Sequence, residues 1–469
     1  MIIYELNARV YGKKFDQITN QELQQLVDLG FDWLWLMGIW RTSEGGKVVA
    51  QGIEPDFEAS PYAIVDYQVN PDLGGEVALK DLVSRAHKLG LKIMADFVPN
   101  HMAIDSPLIN SNPEFFIHSN RDLRDELDRD YFFHPGGKHL AHGRDPYFAG
   151  WTDTAQLDYS HPELRKHQIN ELKRIASLVD GLRCDMAMLV LREQIKNQWF
   201  PKVGWDAFNY HMPNEFWSEA IQAVKEIRSD FIFMAEVYWD KEPYLQQLGF
   251  DLTYDKKLYD LLEHSQLHQI VNYLQNVPND YLARSVHFLE NHDEERAANR
   301  FGNRQKPAAI LSYAILGVPF VHQGQMDGLT EKIPVQRVKP LKQETANEKL
   351  QKFYGQLLYC VKDTVLRHGE MITLGEQSGV ILVRRRHEGR LILVGADIVN
   401  EPGLSGSPAL SIPLMHLKIS PDSQIRCLDH WTGQTVELAT NNNGNLILPP
   451  AAIASWPQTG GFLLEVFTS

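Results

Sequence analysis

The chain has 469 residues, 43% hydrophobic and 23% charged, with 46 Lys and Arg against 60 Asp and Glu for a net charge of −14. Such a length exceeds one ordinary core and implies two or three domains, or one large barrel with attachments. The acidic balance argues against nucleic acid or an anionic membrane as partner, since both require basic patches, and suits a neutral substrate.

The N-terminal "MIIYELNARVYG" has no basic leader region or small-residue cleavage site and reads as a strand from its second residue. No apolar run reaches the roughly 20 residues of a membrane span, so a cytoplasmic enzyme is expected. After the strand at 2–8 comes a helical pattern at 19–30, then a strand at 31–40. Residues 74–90 carry apolar positions at helical spacing and end in Gly, a good C-cap. A strand at 91–101, a helix at 161–180 with Pro162 in its first turn, and a strand at 181–189 follow. A helix at 214–230 leads to strands at 231–239, 250–254, 285–293 and 319–328. Eight apolar strands alternating with helices predict a closed parallel (β/α)8 barrel. An open doubly wound sheet is the alternative, but no Gly-rich phosphate loop follows the first strand.

One connection stands out. Some fifty residues, rich in Asp, Arg, His, Pro and aromatics, separate "DFVPNH" from "TAQLDYSHPEL"; a loop that long is usually functional or a small domain. After a helical stretch at 344–369 the texture becomes short β-like runs, with a hairpin around "HEG" and an Asn-rich turn. The expected division is a barrel of residues 1–100 and 154–370, an inserted subdomain at 101–153 after strand 3, and a C-terminal all-β sandwich domain at 371–469. "RRRH" at 384–387 reads as a solvated strand face. The three cysteines, Cys184, Cys360 and Cys427, are far apart and lack metal-ligand spacing. Cys184 is read as packing, facing away from Asp185.

The acidic residues carry the chemistry. "GLRCD" ends at Asp185, "FIFMAE" at Glu236, "SVHFLENHD" at Asp293, and "LKIMAD" adds Asp96. In a barrel these strand ends converge on one mouth. Any one alone reads as a cap on the next helix; together with Arg183, His101 and His292 they read as a site. Clustered carboxylates without a thiol nucleophile or phosphate loop suit glycosidic bond cleavage, which needs one ionised and one protonated carboxyl. Arg183, two positions before Asp185 on one strand face, is expected to lower its pKa and keep it ionised as nucleophile. Glu236, among apolar neighbours, suits the proton donor. Divalent-metal binding, as in enolizing barrel enzymes, is the runner-up chemistry.

These segments resemble the four sequence regions of the α-amylase family of glycoside hydrolases and transglycosidases: "DFVPNH" (96–101), "GLRCDMAML" (181–189), "MAEVYW" (234–239) and "FLENHD" (288–293). "SPYAIVDYQVNPDLGG", "TAQLDYSHPEL" and "LGVPFVHQGQMDG" resemble further family segments in the same order. The resemblance implies Asp185 as nucleophile, Glu236 as general acid/base and Asp293 as a third carboxylate binding sugar hydroxyls. It places Arg183, His101 and His292 around the same sugar, Tyr62 stacked on it, and Asp96 and Asn100 in support. It implies a retaining mechanism on α-glucans or α-glucosides, with transfer to a sugar or polyol acceptor as one alternative and a non-catalytic carbohydrate-binding relative as another. Three departures bear on specificity. Met188 and Leu189 stand where starch-cleaving members often carry Lys-His, implying apolar surface toward the leaving sugar. Ala63 follows Tyr62 where many exo-acting α-glucosidases have Asp. Gln156 stands where the family has a calcium-binding Asp, which sets the structural calcium in question; no other cofactor or metal is expected. Trp33 and Trp35 read as barrel packing and Trp40, at a strand end, as a sugar platform.

Overall fold

Runs of Val, Ile, Leu and aromatic residues with no polar alternation are what a strand needs when both its faces are covered. A computed structural model of the chain describes residues 1–119, 130–134, 137–340, 342–400, 402, 408 and 410–468. In it the eight runs are the strands β1 (Ile3–Asn7), β2 (Trp33–Met37), β3 (Lys92–Phe97), β4 (Gly181–Cys184), β5 (Ile232–Ala235), β6 (Leu252–Tyr254), β7 (Ser285–His287) and β8 (Val318–His322). They close in the order β1-β8-β7-β6-β5-β4-β3-β2, every neighbour parallel. All five positions of β2 and of β8 are buried. Gly181 opens β4 because a Cβ there would lie 2.8 Å from the Ile232 carbonyl oxygen and 3.0 Å from the Trp33 ring; only glycine lets the strands approach so closely.

Every barrel strand except β6 stops short of the C-terminal end of its apolar run. Beyond the barrel rim a strand has no neighbour to pair with, so residues 185–189, 236–239, 288–293 and 323–328 leave the sheet as loops. Helices follow their end signals. Helix α1 (Asn20–Leu29) starts on a reciprocal Thr19–Glu22 capping box and stops at Gly30, φ +108°. Helix α2 (Gly75–Lys88) and helix α3 (Pro162–Ile175), with Pro162 in its first turn, lie where the pattern predicts them. Helix α4 (Phe216–Lys225) covers the core part of 214–230. Helix α5 (Gln305–Ala314) is apolar nearly all round and buried at nine of its ten positions. The expected helix at 344–369 is two, α6 (Glu348–Val361) and α7 (Thr364–His368), because Asp363 caps the second by accepting from the Val365 N–H at 2.8 Å.

Between β3 and α3, His101–Ala103 pairs antiparallel with Thr154–Gln156. A three-stranded sheet of His118–Ser119, Tyr131–His134 and Lys138–Ala141 lies between them. The charged part of the expected insertion at 120–129 lies outside the described residues.

The C-terminal strands are β9 (Glu370–Gln377), β10 (Val380–His387), β11 (Arg390–Asp397), β12 (Leu410–Pro413), β13 (Ile425–Asp429), β14 (Thr435–Thr440), β15 (Asn445–Leu448) and β16 (Gly461–Thr468). The β10–β11 hairpin turns through Glu388 and Gly389, both at positive φ, as a two-residue hairpin loop requires. In the expected C-terminal all-β domain the strands hydrogen-bond in the order β9-β10-β11-β16-β13-β14-β15-β12. It folds over a core of its own, and its two edge strands meet: the Gln377 amide donates to the Ser411 carbonyl at 2.7 Å and accepts from the Ser411 N–H at 2.9 Å. Strand alternation gives β10 and β11 two duties. Val380, Leu382 and Leu393 face that inner core, whereas Ile381, Val383, Ile392 and Val394 join the core of the barrel. The "RRRH" reading is corrected. Arg384 and Arg385 are 1% and 0% exposed. Arg385 donates to the carbonyls of Ala314, Leu366 and Gly369 at 2.9, 2.6 and 3.1 Å, and these bonds compensate its burial.

Candidate active site at the barrel mouth

Arg183, on β4, is fully buried, and four carboxylates surround it. Its Nη1 donates to Asp185 Oδ1 at 2.7 Å and lies 4.0 Å from Asp96. Its Nη2 lies 2.8 Å from Glu236 Oε2 and 3.9 Å from Asp293 Oδ2, in each case without the alignment of a hydrogen bond. The rings of Trp35, Tyr62 and Tyr254 lie 5.4, 5.2 and 5.9 Å from the guanidinium carbon. A single desolvated cation thus gathers residues from β3, β4, β5 and the loop after β7.

The loop after β4 aims the two leading carboxylates. Asp185 follows the strand directly, its N–H bonded to the Phe97 carbonyl at 2.8 Å. Met186 then takes φ +40°, a costly conformation for a side chain of that size. The turn points its N–H at Glu236 Oε2, 2.6 Å away. Tyr238 Oη donates to Glu236 Oε1 at 2.8 Å.

Burial pushes the Glu236 carboxyl up to about 7, with the Asp185 and Asp293 charges adding to it and Arg183 opposing. Burial also holds Asp185 above the usual carboxylate range, although Arg183 pulls it down. Arg183 lowers Asp185 as expected, but its pull offsets desolvation without exceeding it, so the net shift is upward. Between the two, the aligned Arg183 bond favours the charge on Asp185. For Asp293, His292 and Arg183 together outweigh desolvation and hold it below its ordinary value.

His292 lies between two carboxylates. Nε2 is 3.0 Å from Asp293 Oδ2 and 2.5 Å from Tyr62 Oη; Nδ1 is 2.5 Å from Glu5 Oε1. Asp293 and Glu5 raise its pKa well above the ordinary value against the opposing effect of burial. Tyr62 stacks on the His292 ring at 5.5 Å. His101 is buried, its ring 5.2 Å from that of Trp151; desolvation lowers it to about 4 against a bond to the Tyr62 backbone, so it is neutral. Asp96 accepts from Trp35 Nε1 at 3.1 Å and from the Gly38 N–H at 2.9 Å, and burial lifts it to about 6.

Two expectations fail here. Trp40 is 1% exposed, donates from Nε1 to the Asp96 carbonyl at 2.7 Å and sits edge-on to Tyr67. It braces β3 and offers no sugar platform. Met188 and Leu189 are 0% and 2% exposed, inside a 3₁₀ turn at Ala187–Val190. They pack beneath the loop and present no apolar surface to a sugar. Residues missed in the sequence are Glu5, Tyr238 and Tyr254. Glu5 had a signal: a carboxylate in the middle of an apolar strand, the same signal that singled out Arg183.

The Gln156 amide stands at the position in question for calcium. Gln156 Nε2 donates to the Asn100 carbonyl, Asn100 Oδ1 and the Leu157 carbonyl at 3.0, 3.0 and 3.1 Å. Three oxygens that would suit a cation converge on an amide nitrogen. Flipping the amide would set oxygen against oxygen. The residues present do not fit a calcium ion there. Among the described residues, no group of three or more His, Cys, Asp or Glu is placed to hold a metal.

The fold and site define a (β/α)8-barrel protein with an acidic centre at the C-terminal mouth of its strands. The family model described as "Alpha amylase, catalytic domain" matches residues 15–368, and the chain belongs to the alpha-amylase family. It is 24% identical over 436 residues to alpha-amylase MalA of Haloarcula japonica, covering 87% of this chain and 57% of that protein. With alpha-amylase 3 of Dictyoglomus thermophilum it shares 24% identity, covering 72% of this chain and 66% of the relative. The chain therefore spans between about half and two thirds of these two relatives. The intracellular maltogenic amylase of Bacillus subtilis is 23% identical, with 95% and 73% covered. A maltogenic alpha-amylase, AmyB of Thermotoga neapolitana, superposes with a TM-score of 0.74 at 25% identity, covering 100% of this chain and 99% of that one.

Proposed function

We propose that this chain is a retaining glycoside hydrolase acting on α-glucans or α-glucosides through a covalent glycosyl-enzyme. The observation that carries the reading is the single Arg183 guanidinium shared by Asp185 and Glu236. Both carboxyl groups lie within 2.8 Å of the one guanidinium, which holds them near each other and supports the closely spaced pair of a retaining enzyme. Asp185, hydrogen-bonded to the cation, attacks the anomeric carbon. Glu236, protonated near neutrality, gives its proton to the leaving glycosidic oxygen and then takes one from the incoming water. Asp293, ionised beside His292, holds the ring hydroxyls; Tyr62 and His101 line the same sugar. The relatives' names, amylase and maltogenic amylase, support α-glucan substrates.

The chain is assigned to the cytoplasm, a reading supported by the intracellular relative; among the described residues no helix is long and apolar enough to cross a membrane. The Gln156 arrangement supports activity without calcium.

The test is product analysis over α-glucans, sucrose, trehalose and glucosyl-polyols, with and without phosphate. We expect hydrolysis of α-linked glucose with retention, lost by at least about 10³-fold in Asp185→Asn. Glu236→Gln given α-glucosyl fluoride should accumulate one glucosyl residue on Asp185, read by peptide mass spectrometry. Transfer products in place of free sugar would assign a transglycosidase with the same triad. Cleavage of β-glucosides alone, or equal activity in Asp185→Asn, would refute the proposal.

A further inference from the structure

Glu5 lies on β1, on the far side of His292 from the reacting centre. Its carboxylate is fully buried, a costly position for a charge unless it is paired. Oε1 meets His292 Nδ1 at 2.5 Å. Oε2 lies 3.9 Å from His322 Nε2 and has no hydrogen-bond partner. His322 Nδ1 is in turn 3.1 Å from Glu290 Oε1, and Arg296 donates to the same oxygen at 2.7 Å. A buried row of alternating groups therefore runs from Asp293 through His292, Glu5, His322 and Glu290 to Arg296. Only its Asp293 end opens to solvent, with a side chain 42% exposed.

We propose that Glu5 is a positioning residue of the candidate active site, acting through His292: its buried carboxylate fixes both the orientation of the imidazole and its positive charge. The inference rests on the glycosidase reading for its consequence, though the coupling itself does not. With Glu5 at Nδ1 and Asp293 3.0 Å from Nε2, a carboxylate stands at each ring nitrogen, an arrangement that favours the doubly protonated imidazole. Nε2 thereby becomes a fixed donor toward Asp293, and Tyr62 is held by the same nitrogen. No other carboxylate contact to Nδ1 is present among the described residues. The charged and titratable groups facing the pair are Asp96 from β3, Arg183 from β4, Tyr254 from β6, His322 from β8, and Asp293 and Tyr62 from the loops. Of these, Glu5 and Asp293 alone touch His292 with negative charge, and removing either leaves the imidazolium with one counter-charge.

Glu5→Gln is the decisive variant, because its amide oxygen still accepts from Nδ1 while the charge is gone. Histidine-selective ¹⁵N NMR, with His292 assigned by the loss of its signals in His292→Asn, follows the proton directly. In the unsubstituted chain His292 stays doubly protonated through neutral pH. In Glu5→Gln it should lose a proton at a pH lower by at least about one. The value of kcat/KM should fall at least about tenfold at the alkaline end and recover toward wild type as pH is lowered. Glu5→Asp, which keeps the charge but retracts it, should keep His292 protonated while raising KM. An unchanged His292 titration in Glu5→Gln overturns the proposal, as does a uniform loss of activity with no change in pH profile. If the wild type cleaves no α-glucoside, the glycosidase reading fails on its own, and the NMR titration still decides whether Glu5 sets the charge of His292.

Discussion

Glu236 illustrates how much one residue's surroundings decide. Its carboxyl needs a proton to act as acid, and burial holds it at about 7. The sign follows: kcat/KM should be sustained below that value and fall as pH rises through it, measurable as the alkaline limb on a soluble α-glucan. Tyr238 donates to Glu236 Oε1 and so favours its ionised form. Tyr238→Phe should move that limb to higher pH. Gln156 offers a second test at this scale. Wild-type thermal stability should be insensitive to both chelator and calcium. Gln156→Asp would set a buried carboxylate against three oxygens, and should cost about 3 kcal/mol in chelator, restored by millimolar calcium; this is read by thermal melts with and without the ion. The Arg183–Asp185 pair was legible because two charges in an apolar strand demand an account. Tyr238 was not, because a tyrosine two residues past a strand looks like any rim aromatic until its hydroxyl is placed.

The existence of all eight barrel strands was legible for a physical reason: a parallel strand covered on both faces must be an unbroken apolar run. Their ends were not legible. Pairing stops where the neighbouring strand stops, so "MAML" reads as strand yet leaves the sheet at Met186 and folds as a buried turn. Arg384 and Arg385, two of the three arginines of β10, were misread for a related reason. Runs of charge are usually solvated, and nothing local announces that three backbone carbonyls from α5, α7 and the residue after α7 await a donor. Arg385→Met should therefore destabilise the chain by about 3 kcal/mol or more, measured by denaturant unfolding. Arg385→Lys should recover part of this, since one ammonium reaches fewer of the three oxygens.

Across the whole molecule, the C-terminal sheet supplies one wall of the barrel's packing. Ile381, Val383, Ile392 and Val394 belong to the same core as the barrel residues, and α5 lies buried between the two. Cutting the chain after Gly369 would expose that helix and the strip of core behind it. The truncated chain should aggregate on expression. The full chain should unfold in one calorimetric transition, where two independent domains would give two. The unbroken apolar runs "VILV" and "LILVGA" in β10 and β11 signal that both faces are covered, but nothing in the sequence says that one face is covered by the barrel.

The shared guanidinium has a consequence in time. In the proposed reaction, forming the glycosyl ester turns Asp185 from an anion into a neutral group. The negative charge that helped keep the proton on Glu236 disappears, while Arg183 remains 2.8 Å away with one fewer anion to balance. Glu236, having just given up its proton, is then stabilised as the carboxylate and ready to take one from water. When the ester is cleaved, the Asp185 charge returns and the acid is reset. One immobile cation serving two carboxyl groups thus acts as a clock, switching Glu236 from acid to base and back once in each turnover.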